Sequence, residues 1–225
     1  MSSTWRDRLI LPTYQAKDAA WLAGISPQTL SGWFYGYPQS SGERERPVFA
    51  EGKVRRSPLS YLQLVEVAFV ATCRDNGISL RRIKQTRAYL AAAFHVDYPF
   101  ADLRLRTAGP HIVTELEPEA ADRLVIADAS GQIVWRTFIE ERIDQFDYEN
   151  SMTLRWFPRG KQVPIFIDPR MNFGSPMLAA SGMPTWVIAD AIRTGESDDE
   201  IMLDYGVNAA ELAHVRSFDP ILKAA

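Results

Sequence analysis

Small apolar residues recur at helical spacing near the start of the chain. Ala16, Ala19, Ala20 and Ala23 share one side of a segment that Gly24 ends, and this predicts a short helix over 15–24. After Ile25, Ser26 is a good N-cap, and Pro27 suits the first helical position because its missing N–H needs no partner there. A second helix is therefore expected over 27–34. Helix, glycine-containing turn, helix opening on Ser-Pro is the sequence form of a helix-turn-helix. A Pro/Ser/Gly-rich loop at 37–42 follows. Val48-Phe49 and Val54-Arg55 then flank Ala50-Glu51-Gly52-Lys53 as a small basic hairpin, placed where a helix-turn-helix carries a wing.

The same capping logic makes Ser57-Pro58 the opening of a third helix, with Leu62, Val65, Phe69 and Cys73 on one face and Asn76-Gly77 as its stop. Ser79 caps a fourth, whose apolar face is Leu80, Ile83, Leu90 and Phe94, with Arg81, Arg82 and Lys84 largely on the other side. Two such helices bury their stripes on each other and on the first pair, making a four-helix winged domain. From 110 to 157 the pattern shifts to short β-rich runs at 112–113, 124–126 and 133–135. A helix is expected over 137–146 and a strand over 152–157, which together read as a small α+β block.

Beyond it, 165–167 reads as a strand, Asp168-Pro169 as a turn, and 173–176 and 181–184 as loops. Three short helices close the chain. Thr185 is expected to cap the first, which Gly195 ends, while Ser197 with Glu200 and Asn208 with Glu211 form capping boxes for the others. Ile188, Ile192, Ile201, Leu203, Val207, Leu212, Val215 and Phe218 are the expected common core. The fold class is thus mainly α with a small α+β middle. A winged helix-turn-helix is expected over 1–100, a middle domain over 101–160 and a three-helix domain over 161–225.

Charge adds a division of labour. The net charge of −3 conceals 13 Lys and Arg against 8 Asp and Glu in residues 1–100, and 12 against 20 in the remainder. A basic half neutralises phosphates and gains from counterion release, whereas the acidic half is free to meet a basic protein. No run of about 18 apolar residues exists and the first residues are charged, so neither a membrane span nor a signal peptide is expected and the cytoplasm is the default address. Cys73, the single cysteine, lies in an apolar helical pattern and reads as a buried hydrophobe.

Residues 14–30, 57–62 and 77–83 resemble the MerR-like DNA-binding domain at the start of a VapB antitoxin family. Ile167-Asp-Pro-Arg170, Phe173-Gly-Ser-Pro176, Gly182-Met-Pro-Thr185, Gly195-Glu-Ser197 and Asp204-Tyr-Gly206 resemble a small helical domain of unknown function that accompanies PIN-like toxins. The resemblance implies an antitoxin that neutralises a PIN-like ribonuclease and represses its own operon by binding operator DNA.

For DNA, the early residues of the second helix are the base-reading candidates: Gln28, Thr29 and Ser31, with Trp33 and Tyr35 further along. Lys53, Arg55 and Arg56 on the wing are candidates for phosphate. One recognition helix covers few base pairs, so a homodimer on two half-sites is expected. For the toxin, Asp168, Phe173, Pro176, Met183 and Trp186 are candidate anchors, and the acids Glu196, Asp198, Asp199 and Glu200 suit a basic RNA-binding cleft. His95, His111 and His214 lack ligand spacing, and no phosphate loop or nucleophile elbow occurs, so no catalytic residue, metal or cofactor is expected. Two rival readings are a one-component MerR-like regulator sensing a small ligand and a metal-dependent nuclease using Asp168 or Asp198.

Overall fold

The computed structural model describes residues 5–40, 42–49, 57–102, 145–149 and 152–219. Residues 50–56 of the expected hairpin, with Lys53, Arg55 and Arg56, the apolar runs at 112–135 and the segment 137–144 lie outside them. The described residues are mainly helical, with eight α-helices and two two-stranded sheets. None of their helices is long and apolar enough to cross a membrane. The chain divides into two compact units: Met1–Ile143 with Tyr148–Thr153, and Asp144–Asp147 with Leu154–Ala225.

In the first unit, α1 (Asp7–Ile10) precedes α2 (Ala16–Leu22) and α3 (Pro27–Tyr35). α2 turns inward Ala19, Ala20 and Leu22. Of the four alanines expected on that face, Ala16 is exposed and Ala23 half-buried, because the helix packs along its middle and both residues lie at its ends. Gly24, at φ +73°, reverses the chain, and the Ser26 hydroxyl accepts the Thr29 N–H at 3.0 Å to start α3. Leu30, Trp33 and Phe34 bury the inner face of α3. The Trp33 carbonyl accepts the N–H groups of Val48 (2.8 Å) and Phe49 (3.2 Å), which ties the next segment back onto the helix.

The third helix, α4 (Tyr61–Asp75), does not open at Ser57-Pro58. Leu59 exchanges backbone bonds with Tyr14 (2.6 and 2.9 Å), which holds it extended. The cap therefore passes to Ser60, whose hydroxyl accepts the Gln63 N–H while the Gln63 amide oxygen accepts the Ser60 N–H. α4 is buried on nearly every side, against α1, α5 (Leu80–Phe94) and a 3-10 turn at Pro99–Ala101. Phe69 stacks on Phe100 with ring centroids 4.4 Å apart. Ile83, Leu90 and Phe94 of α5 face inward as their spacing predicts, and so do Thr86 and Arg87. Arg87 meets the one buried carboxylate of α4: its Nε donates to Glu66 Oε2 at 2.7 Å, and Glu66 Oε1 accepts the Phe100 N–H at 2.6 Å.

The strands β1 (Phe146–Glu149) and β2 (Met152–Trp156) pair with each other. Phe146 therefore belongs to a strand and not to the expected helix; its ring packs on Trp156 across the pair, a contact that alternating strand geometry permits. In the second unit, Trp156 and Ile167 exchange backbone bonds (2.9 and 2.8 Å). β3 (Ile165–Phe166) runs antiparallel to β4 (Met177–Leu178), with Ile165 opposite Leu178.

The helices α6 (Thr185–Thr194), α7 (Asp198–Tyr205) and α8 (Ala209–Phe218) pack on one another. Both expected capping boxes form, at Ser197 with Glu200 and at Asn208 with Glu211. Thr185 does not cap α6: its N–H donates to the Pro176 carbonyl at 2.9 Å, so it is buried as the first helical residue and Pro184 takes the capping position. Leu203 is the other correction. It is 82 % exposed, because α7 buries Ile201 and a residue two positions on projects roughly 200° around the axis.

Glu211 links this helical layer to the loop after β4. Its carboxylate accepts the Ser181 N–H (2.9 Å), the Ser181 hydroxyl (3.0 Å) and the Asn208 N–H (3.3 Å) while buried. Glu211→Ala is expected to destabilise this unit by about 2–3 kcal/mol in thermal unfolding. Asn208→Ala, which removes the cap alone, is expected to lose about 1 kcal/mol.

Candidate nucleic-acid interface and partner surface

α3 presents a polar stripe opposite its buried face. Gln28 and Ser31 are exposed and Tyr35 is half-buried; at positions i, i+3 and i+7 they share one side of the helix. Thr29 is half-buried, and its hydroxyl shares a 2.9 Å hydrogen bond with that of Ser26, so it serves the cap. Trp33 leaves the DNA-facing set altogether. It is 2 % exposed and fills the core under α3, because it falls on the same side as Leu30 and Phe34. Past the end of α3, the Arg44 guanidinium donates to the Gly36 carbonyl at 2.9 Å, which braces the turn.

In the second unit, Asp168 is fully buried, so the expected partner anchor is an internal clasp. Oδ1 accepts the Arg170 N–H (2.9 Å) and Nε (3.1 Å), Oδ2 accepts Arg170 Nη2 (2.8 Å), and Arg155 Nη2 stands 3.9 Å away. Arg155 also lies over the Phe166 ring at 4.3 Å. The clasp turns the chain out of β3 and into the loop that carries Phe173.

Phe173 is 86 % exposed, and with φ +53° and ψ 29° it adopts the left-handed conformation that aromatic residues rarely take. The Thr185 to Pro176 hydrogen bond draws this loop to the first turn of α6, where Trp186 is 57 % exposed. Pro176 and Met183 are half-buried at the same turn. Met171, which the sequence reading passed over, and Leu203, which it placed in the core, are further exposed apolar side chains. For Leu203, the signal was its offset from Ile201 within a helix of eight residues.

The acids surround α7. Asp198 pairs with Arg216 and Asp190 with Arg193, whereas Asp199 has no ion pair among the described residues. The Glu200 carboxyl is held below its usual range by hydrogen bonds from the Ser197 hydroxyl (2.7 Å) and N–H (2.9 Å). The Tyr205 phenol is pushed up by loss of hydration and then by the negative charge of Glu196 and Asp204. Among the described residues, no three His, Cys, Asp or Glu side chains come together as a metal site.

Residues 165–218, from β3 through α8, match the family described as "Protein of unknown function (DUF433)". Over 222 residues the chain is 21 % identical to the "Putative antitoxin VapB45" of Mycobacterium tuberculosis, an alignment that covers 91 % of this chain and 92 % of that protein. The chain is similar to a VapB antitoxin. The VapB-like similarity takes in both units, well beyond the matched carboxy-terminal segment. The fold is shared with the crystal structure of Rv2018 from Mycobacterium tuberculosis: the TM-score is 0.70 at 20 % identity, over 92 % of this chain and 99 % of that one.

Proposed function

We propose that this protein is an antitoxin that binds and neutralises a PIN-like ribonuclease toxin through its second unit. As a homodimer it also represses its own operon, with α2 and α3 acting as the helix-turn-helix of a MerR-like winged domain. The observation that carries the toxin-binding part is Phe173, a large aromatic held in water in a strained left-handed backbone, on a loop that the Thr185 to Pro176 hydrogen bond ties to the helix carrying exposed Trp186. Strain of this kind amounts to about 1–3 kcal/mol and persists where it serves function, and exposed aromatics are among the residues that anchor interfaces. The negative field around Asp199, Glu196 and Asp204 suits the basic cleft that a ribonuclease offers to RNA. Pro176 and Met183 border the same loop.

The test is co-expression with the PIN-like protein encoded next to it, followed by calorimetry on the purified pair. Phe173→Ala with Trp186→Ala is expected to weaken the complex by at least about 30-fold, roughly 2 kcal/mol or more, while leaving the melting temperature of the free chain unchanged. Wild-type affinity in this variant would remove the surface from the interface. For the DNA-binding part, Gln28 and Ser31 support α3 as the reader, with Lys53, Arg55 and Arg56 as phosphate contacts. Gln28→Ala is expected to relax base preference at one operator position by about 1–3 kcal/mol in a binding selection; an unaltered preference there would take Gln28 out of base readout.

A further inference from the structure

We propose that the cleft between residues 45–48 and α5 in the first unit is a binding site for a phosphate-class anion. The cleft holds about 420 Å³, within the range of small-ligand sites. One wall is the face of α5 that carries Arg81, Lys84 and Ala88, which are neighbours at helical spacing; the other carries Arg46, Pro47 and Val48. Arg87 lies at the same wall, with Glu66 as its counterion.

The balance of charge is what makes this concavity a site. Lys84 pairs with Glu45 and Arg87 with Glu66, so these two cations are already neutralised. Arg46 and Arg81 both line the cleft, and among the described residues neither forms an ion pair or a hydrogen bond. Two guanidinium groups from different elements therefore share a recess whose one lining carboxylate, Glu45, is engaged by Lys84, and no anion among the described residues pairs with them. Guanidinium forks match phosphate oxygens two at a time, and Pro47 and Val48 add apolar lining next to them. The ligand class is an oxyanion of at least two negative charges. It comes either as a free small phosphate or as the backbone phosphate of a nucleic acid. The site stands on its own geometry and does not require the antitoxin reading.

The experiment is a titration of the full-length, isotope-labelled chain with sodium pyrophosphate at constant ionic strength, following the amide signals of Val48, Gln85 and Ala88. Saturable shifts are expected. Arg46→Ala with Arg81→Ala is expected to weaken binding by about tenfold or more without lowering the melting temperature, since neither side chain has a hydrogen-bond or ion-pair partner among the described residues. A second arm measures binding of a random-sequence DNA duplex to both proteins. Weaker duplex binding by the variant, with a flatter salt dependence, assigns the anion to a DNA backbone. Duplex binding equal in the two proteins, together with pyrophosphate binding lost in the variant, assigns it to a free phosphate. If the double substitution changes neither pyrophosphate binding nor duplex binding, or if neither probe binds the wild-type chain, the proposal is overturned.

Discussion

Glu66→Ala is expected to destabilise the first unit by about 3–5 kcal/mol, the loss typical of removing one partner from a buried ion pair. Glu66 is almost completely buried on α4, and its two oxygens hold Arg87 of α5 and the Phe100 N–H of the 3-10 turn. Arg87 in turn donates to the Asp97 carbonyl at 2.8 Å and lies over the Phe49 ring at 5.2 Å. Alanine at 66 leaves a guanidinium charge and a backbone N–H buried without their acceptor, so the penalty is mainly desolvation that has lost its compensation. The control is the double replacement Glu66→Leu with Arg87→Leu, which places apolar side chains in an apolar neighbourhood. It is expected to recover the part of the loss that comes from the uncompensated guanidinium, the Phe100 N–H still lacking its acceptor. The readout is the urea midpoint followed by circular dichroism. A single-mutant loss under about 1 kcal/mol would mean that water reaches the pair and that the clamp between α4 and α5 is weak.

Gly36→Ala is expected to be comparably severe, at about 3 kcal/mol or more, for a different reason. Gly36 ends α3 at φ +73° and ψ 155°, a region open essentially to glycine alone. A Cβ built there would also overlap the Glu45 carbonyl oxygen, the backbone of a segment already bonded to Tyr37 (2.8 Å, Glu45 N–H to Tyr37 carbonyl). Backbone cannot swing aside as a side-chain tip does, so α3 or the 45–48 segment has to move. Gly24→Ala is the internal comparison: it has the same φ of +73° but nothing within 4 Å of the new Cβ. It is expected to lose only about 1–2 kcal/mol of conformational strain. Equal losses at the two glycines in thermal unfolding would show that the close approach at Gly36 relaxes freely. Because Gly36 stands between α3 and the wall of the basic cleft, its alanine variant is also expected to blur the α3 amide signals first.

The ends of helices were legible in the chain because their bonds close over three or four residues. Ser26, Ser79, Ser197 and Asn208 each cap where the pattern places them, and Gly24, Gly77 and Gly195 each adopt positive φ at the stop. Part of the candidate surfaces was legible for the same reason. Gln28 and Ser31 are exposed opposite Leu30, Trp33 and Phe34, and a Gly-Ser-Pro loop leaves Phe173 in solvent. What failed depended on partners far away in sequence. The Ser57 cap yielded to Ser60 because Leu59 pairs with Tyr14, and Asp168 turned inward because Arg155 and Arg170 converge on it.

Residue order alone therefore determined where α3, α5, α7 and α8 begin, where several helices stop, and how charge divides between the halves of the chain, since each of these is a property of neighbours or of simple counts. Tertiary structure alone decided that Asp168 is buried, that Glu66 and Arg87 meet, and that Arg46 and Arg81 line one recess. Burial and pairing are set by which surfaces come together across tens of residues, and no local periodicity carries that information.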